Sequence, residues 1–196
     1  MQLAGPPTEF DRVEEGRQGG LRDRLREATA SAHHELDAQF AAFDLTARNG
    51  YRRFLESSAA ALLPLEAALE RAGVVHLFSD WPKRSRRDAI TTDLVRLGGA
   101  IHPMGEVAPL SHNAVLGTMY VLEGSRLGAK YLLRMMSQST DPLIAEARAY
   151  LGHGAGQPLW RSFLARLECE VVSSEAEAIA GARQAFAMFA EAAARA

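Results

Sequence analysis

Apolar side chains recur every three or four residues along most of this chain, and that spacing predicts helices. The first stripe begins at Leu21 and consists of Leu21, Leu25, Ala28, Ala32, Leu36 and Phe40. A longer stripe follows Thr46, which is suited to cap a helix, and closes at Gly73, with Pro64 predicted to kink or break it. No segment alternates between apolar and polar residues as a strand does. The pattern therefore predicts an all-α protein.

Capping residues and helix-ending glycines predict five further helices. They are expected to run from Ser85 to Gly98, from Ala114 to about Ser137, from Thr140 or Asp141 to about Gly152, from Pro158 through Leu167, and from Ser174 into the alanine-rich end of the chain. Residues 1–20 carry several prolines and glycines and few large apolar groups, which predicts a mobile N-terminal tail. We expect a single helical domain over residues 21–196.

Composition and charge narrow the functional classes. The chain has 196 residues, 47% hydrophobic and 23% charged, and a formal net charge of −2. This balance is typical of one globular domain and gives no general attraction to nucleic acid or to an anionic membrane. The longest apolar runs, such as 116–122, fall far short of the roughly 20 residues that span a bilayer. Cys169 is the single cysteine and no signal-peptide pattern is present, so we expect a cytoplasmic protein.

Two adjacent histidines, His33 and His34, lie in the first predicted helix. At about 100° per residue, His33 falls roughly 80° from the centre of the apolar stripe, whereas His34 lies almost diametrically opposite that centre. We expect a half-buried imidazole at His33, one turn after Thr29, and a solvated imidazole at His34. Arg22 and Arg26 lie on the flank of His33, and this grouping suits iron together with carboxylates such as haem propionates. A boundary histidine bonded to a neighbouring side chain is the alternative.

The apolar segment YVLEGSRLGAKYL carries glycines where a helix is expected. Gly117, Gly124 and Gly128 fall on one helical face. Glycine costs about 1 kcal/mol relative to alanine inside a helix, so these positions require an explanation. Either a flat ligand or a neighbouring helix would be able to approach the backbone there, and spacing alone leaves both alternatives open. A phosphate loop is excluded because no Lys-Ser or Lys-Thr pair follows the glycines.

The remaining candidates are less specific. Arg161 lies beside Trp160, where it would either reach an anionic group or cover apolar surface. The other four histidines lie in or near predicted loops, the usual setting of solvated imidazoles. Cys169 lies within a helical pattern without an electropositive setting, and no pair of carboxylates suits a hydrolase.

Two motifs together resemble the haem oxygenase family, and within it the short bacterial enzymes encoded with bacteriophytochromes. LREATASAHHELD resembles the family's proximal segment, in which the iron-ligating histidine lies four residues after the threonine of an Ala-Thr pair, and this selects His33. GTMYVLEGSRLGAKYL resembles the distal helix, whose glycines let its backbone lie over the haem. YRRFLESSAAALLPLE is similar to the family's second helix, so the resemblance covers about residues 21–167. It implies the single-domain multi-helix fold of that family.

The resemblance also implies a set of site residues. His33 would ligate the iron, and Gly124, Ser125 and Gly128 would form the catalytic distal wall. The contacts to the cofactor expected from position and resemblance together are Arg22, Arg26, Thr29, Tyr120 and Arg161. Animal members carry an aspartate where this chain has Ser125, a difference that bears on the proton path, and Ala129 replaces a third glycine of some members.

The implied reaction is the oxidative opening of haem to biliverdin, carbon monoxide and iron, with O2 and with electrons from an external reductase. Haem is both substrate and cofactor in this chemistry. The implied partners are an electron donor of the ferredoxin or flavin-reductase type and a bacteriophytochrome that receives biliverdin. Nucleic acid and a membrane span are not expected.

Two other functions are compatible with the same helical scaffold. A protein that binds haem or another tetrapyrrole without turning it over would retain the site but not the distal network needed for oxidation. A non-haem enzyme of the thiaminase type would require a reactive cysteine near the pocket, and Cys169 lacks such a setting. A haem absorption spectrum would exclude the thiaminase-type enzyme. Turnover of haem to biliverdin would distinguish the oxygenase from the non-catalytic binding protein.

Overall fold

The computed structural model describes residues 20–196, so the tail predicted for residues 1–20 lies outside the described part except for Gly20. That part is all-helical and contains no strand, which confirms the predicted fold class. Its helices are α1 (Leu21–Ala41), α2 (Arg48–Arg71), α3 (Val74–Leu77), α4 (Trp81–Arg84), α5 (Arg87–Leu97), α6 (His112–Met136), α7 (Pro142–Glu146), α8 (Ala149–Gly152), α9 (Leu159–Cys169) and α10 (Glu175–Arg195). None of these helices is long and apolar enough to cross a membrane.

The core is organised around α10, which packs along α6, α1 and α2. The small side chains of α10 allow its backbone to touch that of α6. A Cβ atom added at Gly117 of α6 would lie 1.8 Å from the carbonyl oxygen of Ala178, and one added at Gly181 would lie 2.4 Å from the carbonyl oxygen of Ala114. Gly117 is therefore a helix-packing residue, one of the two alternatives that its spacing left open.

Helix α2 runs without interruption through Pro64, so the predicted break does not occur. Proline lacks an amide hydrogen, which frees the carbonyl of the residue four positions earlier. That carbonyl, on Ala60, instead accepts a hydrogen bond of 2.8 Å from the backbone N–H of Met104. A loop segment thus replaces the hydrogen bond that Pro64 cannot make.

Two predicted N-caps are wrong because their hydroxyl groups bind elsewhere. The Thr46 hydroxyl donates to Asp44 over 2.6 Å, and α2 begins after Ala47. The Ser85 hydroxyl donates to the buried carboxylate of Glu66 over 2.6 Å, and α5 begins after Arg86 with no side-chain cap. Short hydroxyl side chains bind nearby acceptors as readily as helix ends, so composition alone does not decide which partner they take.

The segment predicted as one helix after Pro142 forms two short helices, α7 and α8. The fully buried carboxylate of Asp93 in α5 accepts the backbone N–H groups of Ala149 and Tyr150, at 3.1 and 2.8 Å, and so caps the start of α8. Burial raises the pKa of Asp93. The Tyr51 hydroxyl donates over 2.7 Å to the carbonyl of Ala147, in the turn between the two helices. These contacts from the core fix the position of α8.

Candidate functional site

A cavity of about 660 Å³ lies between α1 and α6 and is closed by side chains of α8, α9 and α10. Most of its lining is apolar and aromatic. Representative lining residues are Leu36, Phe40, Phe54, Val121, Leu132, Leu151, Trp160, Phe186 and Phe189. The cavity therefore suits a large apolar ligand, with few polar groups available to orient it.

His33 lines this cavity, whereas His34 does not, as the helical arithmetic predicts. The His33 side chain is 64% exposed, so it lies at the mouth of the cavity. It is more exposed than the half-buried imidazole that we expected. The ring packs edge-on against Phe186, and its Nδ1 lies 3.1 Å from a carboxylate oxygen of Asp37. A carboxylate on one ring nitrogen selects the tautomer and leaves the other nitrogen free to bind a ligand.

Gly124 and Gly128 of α6 line the same cavity. A Cβ atom at Gly128 would meet no heavy atom within 4 Å, and one at Gly124 would make only ordinary contact, 3.7 Å, with the ring of Trp160. These glycines therefore differ from Gly117 because no neighbouring helix requires them to be small. Their missing side chains leave space that belongs to the cavity.

Tyr120 also lines the cavity, one turn before Gly124, with its ring 5.8 Å from that of Trp160. Burial raises the pKa of Tyr120, and the charges of Arg22 and Arg26 oppose that rise. Both arginines thus lie close enough to interact electrostatically with the phenol group. Neither of them lines the cavity itself, and Arg26 lies 3.5 Å from Asp23 on its own helix.

Two further predicted cofactor contacts, Thr29 and Arg161, are also absent from the cavity lining. Thr29 is buried, and its hydroxyl donates over 2.7 Å to the carbonyl of Leu25 within α1, so it supports the helix that carries His33. Arg161 is exposed and is absent from the cavity lining, although its neighbour Trp160 is part of the lining. Thr29 therefore lies on the buried face of α1 and does not reach the cavity. Arg161 lies on the outer side of α9.

Ser125 lines the cavity together with Arg86, a buried residue that sequence analysis did not single out. The Ser125 hydroxyl donates over 2.8 Å to the carbonyl of Leu122 and accepts a hydrogen bond of 3.0 Å from the Arg86 guanidinium. The same guanidinium donates to the Leu122 carbonyl over 3.1 Å and lies 5.3 Å from the centre of the Tyr150 ring. Arg86 therefore joins α6 to α8 at the cavity wall.

A second group of buried charges lies on the other flank of α6. Glu123 is 1% exposed and accepts hydrogen bonds from Arg84 over 2.8 Å and from Arg126 over 2.9 Å. Arg126 also lies 3.1 Å from Nδ1 of His153, in the loop between α8 and α9. Burial, followed by the charge of Arg126, lowers the pKa of His153. This loop, which joins two walls of the cavity, is thereby attached to α6.

Three residues of the site were not predicted from the sequence, although the spacing of one of them indicates its contact with His33. Asp37 lies four residues after His33, the spacing at which two side chains meet on a helix. Arg86 lies in the run KRSRR, which has the composition of a solvated surface, and no local pattern separates it from its neighbours. Tyr150 depends on Asp93, more than fifty residues away in sequence, for its placement.

A sequence model described as Heme oxygenase matches residues 20–195. The chain belongs to the haem oxygenase family. This confirms the family suggested by the two motifs, and with it the function that they implied, a haem oxygenase that acts as an oxidoreductase in haem degradation.

Relatives of known name support this membership. A haem oxygenase from Xanthomonas campestris pv. campestris is 37% identical over 114 residues, which are 57% of this chain and 68% of that protein. The haem oxygenase PigA from Pseudomonas aeruginosa is 29% identical over 186 residues, which are 90% of this chain and 92% of PigA. The similarity therefore extends across nearly the whole chain.

Solved structures share the fold. The NO- and CO-bound haem oxygenase of Neisseria meningitidis superposes with a TM-score of 0.71 at 24% identity, covering 90% of this chain and 91% of that one. The haem oxygenase of Leptospira interrogans superposes with a TM-score of 0.68 at 16% identity, covering 91% and 100%. The arrangement of helices described above is thus the haem oxygenase fold.

Proposed function

We propose that the cavity between α1 and α6 is the haem site of this haem oxygenase, and that His33 is its iron ligand. The observation that carries this assignment is the meeting, in one cavity, of an imidazole supported by a carboxylate and two glycines with space in front of them. The predicted reaction opens haem to biliverdin, carbon monoxide and iron.

The cavity fits haem in size, shape and chemistry. Its volume of about 660 Å³ lies within the range typical of sites for cofactors and other small molecules. The aromatic lining suits the apolar faces of a porphyrin. The space in front of Gly128, which a Cβ would partly fill, lets a flat group approach the helix backbone.

His33 and Asp37 would act together at the iron. The Asp37 carboxylate, 3.1 Å from Nδ1 of His33, would accept a hydrogen from that nitrogen and so leave Nε2 as the ligand atom. The carboxylate also makes the imidazole more electron-rich, which strengthens its bond to a metal. His34 has no such partner among residues 20–196 and faces away from the cavity.

Tyr120, Arg22 and Arg26 would receive the propionate groups. Tyr120 lines the cavity, and the charges of Arg22 and Arg26 act on its phenol, so a hydroxyl donor and two cations would be available to the carboxylates. Charge-assisted hydrogen bonds to carboxylates are among the stronger polar contacts in proteins. Such contacts would fix which edge of the ring enters the cavity first.

Oxidation requires reactants that the chain does not supply. When bound, haem provides the iron at which O2 is activated, and the electrons come from an external reductase. A ferredoxin-type or flavin-type donor has the appropriate chemistry, and a bacteriophytochrome is a suitable acceptor of biliverdin. We place this reaction in the cytoplasm, in keeping with a single cysteine, Cys169, that is exposed and outside the cavity lining.

Anaerobic haem loading followed by turnover tests this function. Addition of ferric haem to the apo-protein should give a saturable Soret band, and O2 with a chemical reductant should then replace that band with the broad absorption of biliverdin. Extraction and chromatography identify the pigment. A stable haem complex that yields no bilin would favour the non-catalytic carrier, and the absence of any Soret shift would reject the haem site.

A further inference from the structure

We propose that Arg86 is the fixed hydrogen-bond donor and cation on the α6 side of the cavity, and that Ser125 and Tyr150 serve to position it. This inference rests on the proposed haem site. It changes the role assigned to Ser125, which the sequence suggested as the group that takes the place of an acidic residue on this helix.

The hydrogen-bond geometry of Ser125 shows why it is a poor donor to a ligand. A serine hydroxyl has one hydrogen, and that of Ser125 points at the carbonyl of Leu122 over 2.8 Å. Its oxygen is occupied as an acceptor by the Arg86 guanidinium at 3.0 Å. Ser125 would have to break a bond within α6 before it donated to a group in the cavity.

The Arg86 guanidinium has N–H groups that its hydrogen bonds to α6 do not use. A guanidinium carries five N–H groups, and two of these in Arg86 are used on Ser125 and Leu122. Arg86 is 4% exposed and lines the cavity. Its remaining N–H groups are therefore available at the cavity wall to an anionic or water ligand.

The charge of Arg86 is also not neutralised by a direct ion pair. In the nearby buried cluster, Glu123 binds Arg84 and Arg126, and Asp80 binds Arg84. Within residues 20–196, no carboxylate lies within salt-bridge distance of the Arg86 guanidinium, which instead rests 5.3 Å from the centre of the Tyr150 ring. A buried cation on an aromatic face is held in place while it keeps its attraction for an anion.

Tyr150 is itself held in place by a contact from α5. Its backbone N–H donates to the fully buried carboxylate of Asp93, so the start of α8 is tied to α5. The ring therefore presents a rigid face to Arg86, and the two hydrogen bonds to α6 hold the other side of the guanidinium. This support from two helices predicts a donor that is already oriented before a ligand arrives.

Binding of fluoride to the ferric haem complex provides a test that does not depend on turnover. Fluoride is a small anion and a strong hydrogen-bond acceptor, so its dissociation constant reports donors on the side of the haem that His33 does not occupy. Arg86→Met should weaken fluoride binding by ~10-fold or more, the loss expected for a charge-assisted hydrogen bond. Arg87→Met is the matched control, because Arg87 is an adjacent arginine paired with Glu70 at the surface and should leave the constant unchanged.

Variants of the two supporting residues give further outcomes. Ser125→Ala should weaken fluoride binding less than Arg86→Met does, and a larger loss at Ser125 would return the donor role to serine. Tyr150→Leu removes the aromatic platform and should weaken binding by ~3-fold or more relative to Tyr150→Phe, which keeps the ring. If Arg86→Met does not fold, as judged by thermal unfolding of the apo-protein, the Tyr150 pair still decides the question.

The proposal is overturned if folded, haem-binding Arg86→Met binds fluoride as tightly as Arg87→Met, or if Tyr150→Leu and Tyr150→Phe bind it equally. Failure of the haem site itself has a different signature. In that case even the unmodified protein shows no saturable Soret band, before any fluoride is added.

Discussion

Alanine substitutions at Gly117 and Gly128 should have opposite effects on stability, although both glycines lie in α6 and share a helical face. At Gly128 a Cβ meets nothing within 4 Å, so Gly128→Ala should gain the helix propensity of alanine, about 0.5–1 kcal/mol. At Gly117 a Cβ would lie 1.8 Å from the carbonyl oxygen of Ala178, well inside ordinary contact at 3.4 Å. Overpacking of this kind costs about 1–3 kcal/mol or more, which outweighs the gain in propensity.

Thermal unfolding of the two apo-proteins, followed by circular dichroism, measures this contrast. For a chain of this size, 1 kcal/mol corresponds to a shift in Tm of about 2–4 °C, so Gly128→Ala should melt a few degrees above the unmodified protein and Gly117→Ala below it. Haem titration completes the assay. Gly128→Leu should unfold cooperatively but bind haem weakly and produce little biliverdin, because the larger side chain occupies the cavity.

Either of two results would refute this reasoning. A Gly128→Ala protein destabilised as strongly as Gly117→Ala would mean that Gly128 also packs against a neighbouring element. A Gly128→Leu protein that binds haem with unchanged affinity and produces biliverdin at the full rate would mean that the space in front of this glycine does not belong to the haem site.

Two further predictions concern charge. Arg26→Ala should broaden the distribution of biliverdin isomers, measured by chromatography of the extracted pigment, while it changes the iron spectrum little, because a propionate contact resists rotation of the ring; an unchanged isomer ratio and haem affinity would remove Arg26 from the site. His153 has a pKa below its ordinary value of 6.5 in the folded state, so the unfolded state takes up its proton first and stability falls as the pH drops below about 6.5. His153→Gln should therefore show a smaller fall in Tm between about pH 7.5 and pH 5.5 than the unmodified protein. An equal fall in the two proteins would contradict the lowered pKa of His153.

The positions of the long helices were predictable because each buries one continuous apolar face. Leu25 and Leu36 of the first stripe are buried, as their spacing requires, and Ser174 caps α10 as the sequence indicates. Glu177, three residues after Ser174, has the spacing of a capping box, but its carboxylate does not return a hydrogen bond to the Ser174 N–H. The carboxylate of Glu177 binds Ser111 and Asn113 at the start of α6 instead, because that tertiary contact competes with the local one.

Residues that depend on tertiary contacts could not be found from sequence. Pro64 would end an isolated helix, and only the approach of Met104 explains why α2 continues. Arg86 has the same local composition as its partly exposed neighbour Arg87, and its burial follows from the joint positions of α6 and α8. The helical face separates His33 from His34 and the family resemblance selects it, and the spacing of Asp37 on the same helix was also readable. The contact of His33 with Phe186 emerges only when α1 and α10 are placed together.

The proposed haem site depends most directly on His33 as the iron ligand, and resonance Raman spectroscopy of the ferrous haem complex measures that bond. His34→Ala should retain the iron–imidazole stretching band of the unmodified protein, because His34 lies outside the cavity. His33→Ala should lose the band, and added imidazole should restore a five- or six-coordinate spectrum. Retention of the band in His33→Ala together with its loss in His34→Ala would contradict both the helical arithmetic and the assignment of His33 as the iron ligand.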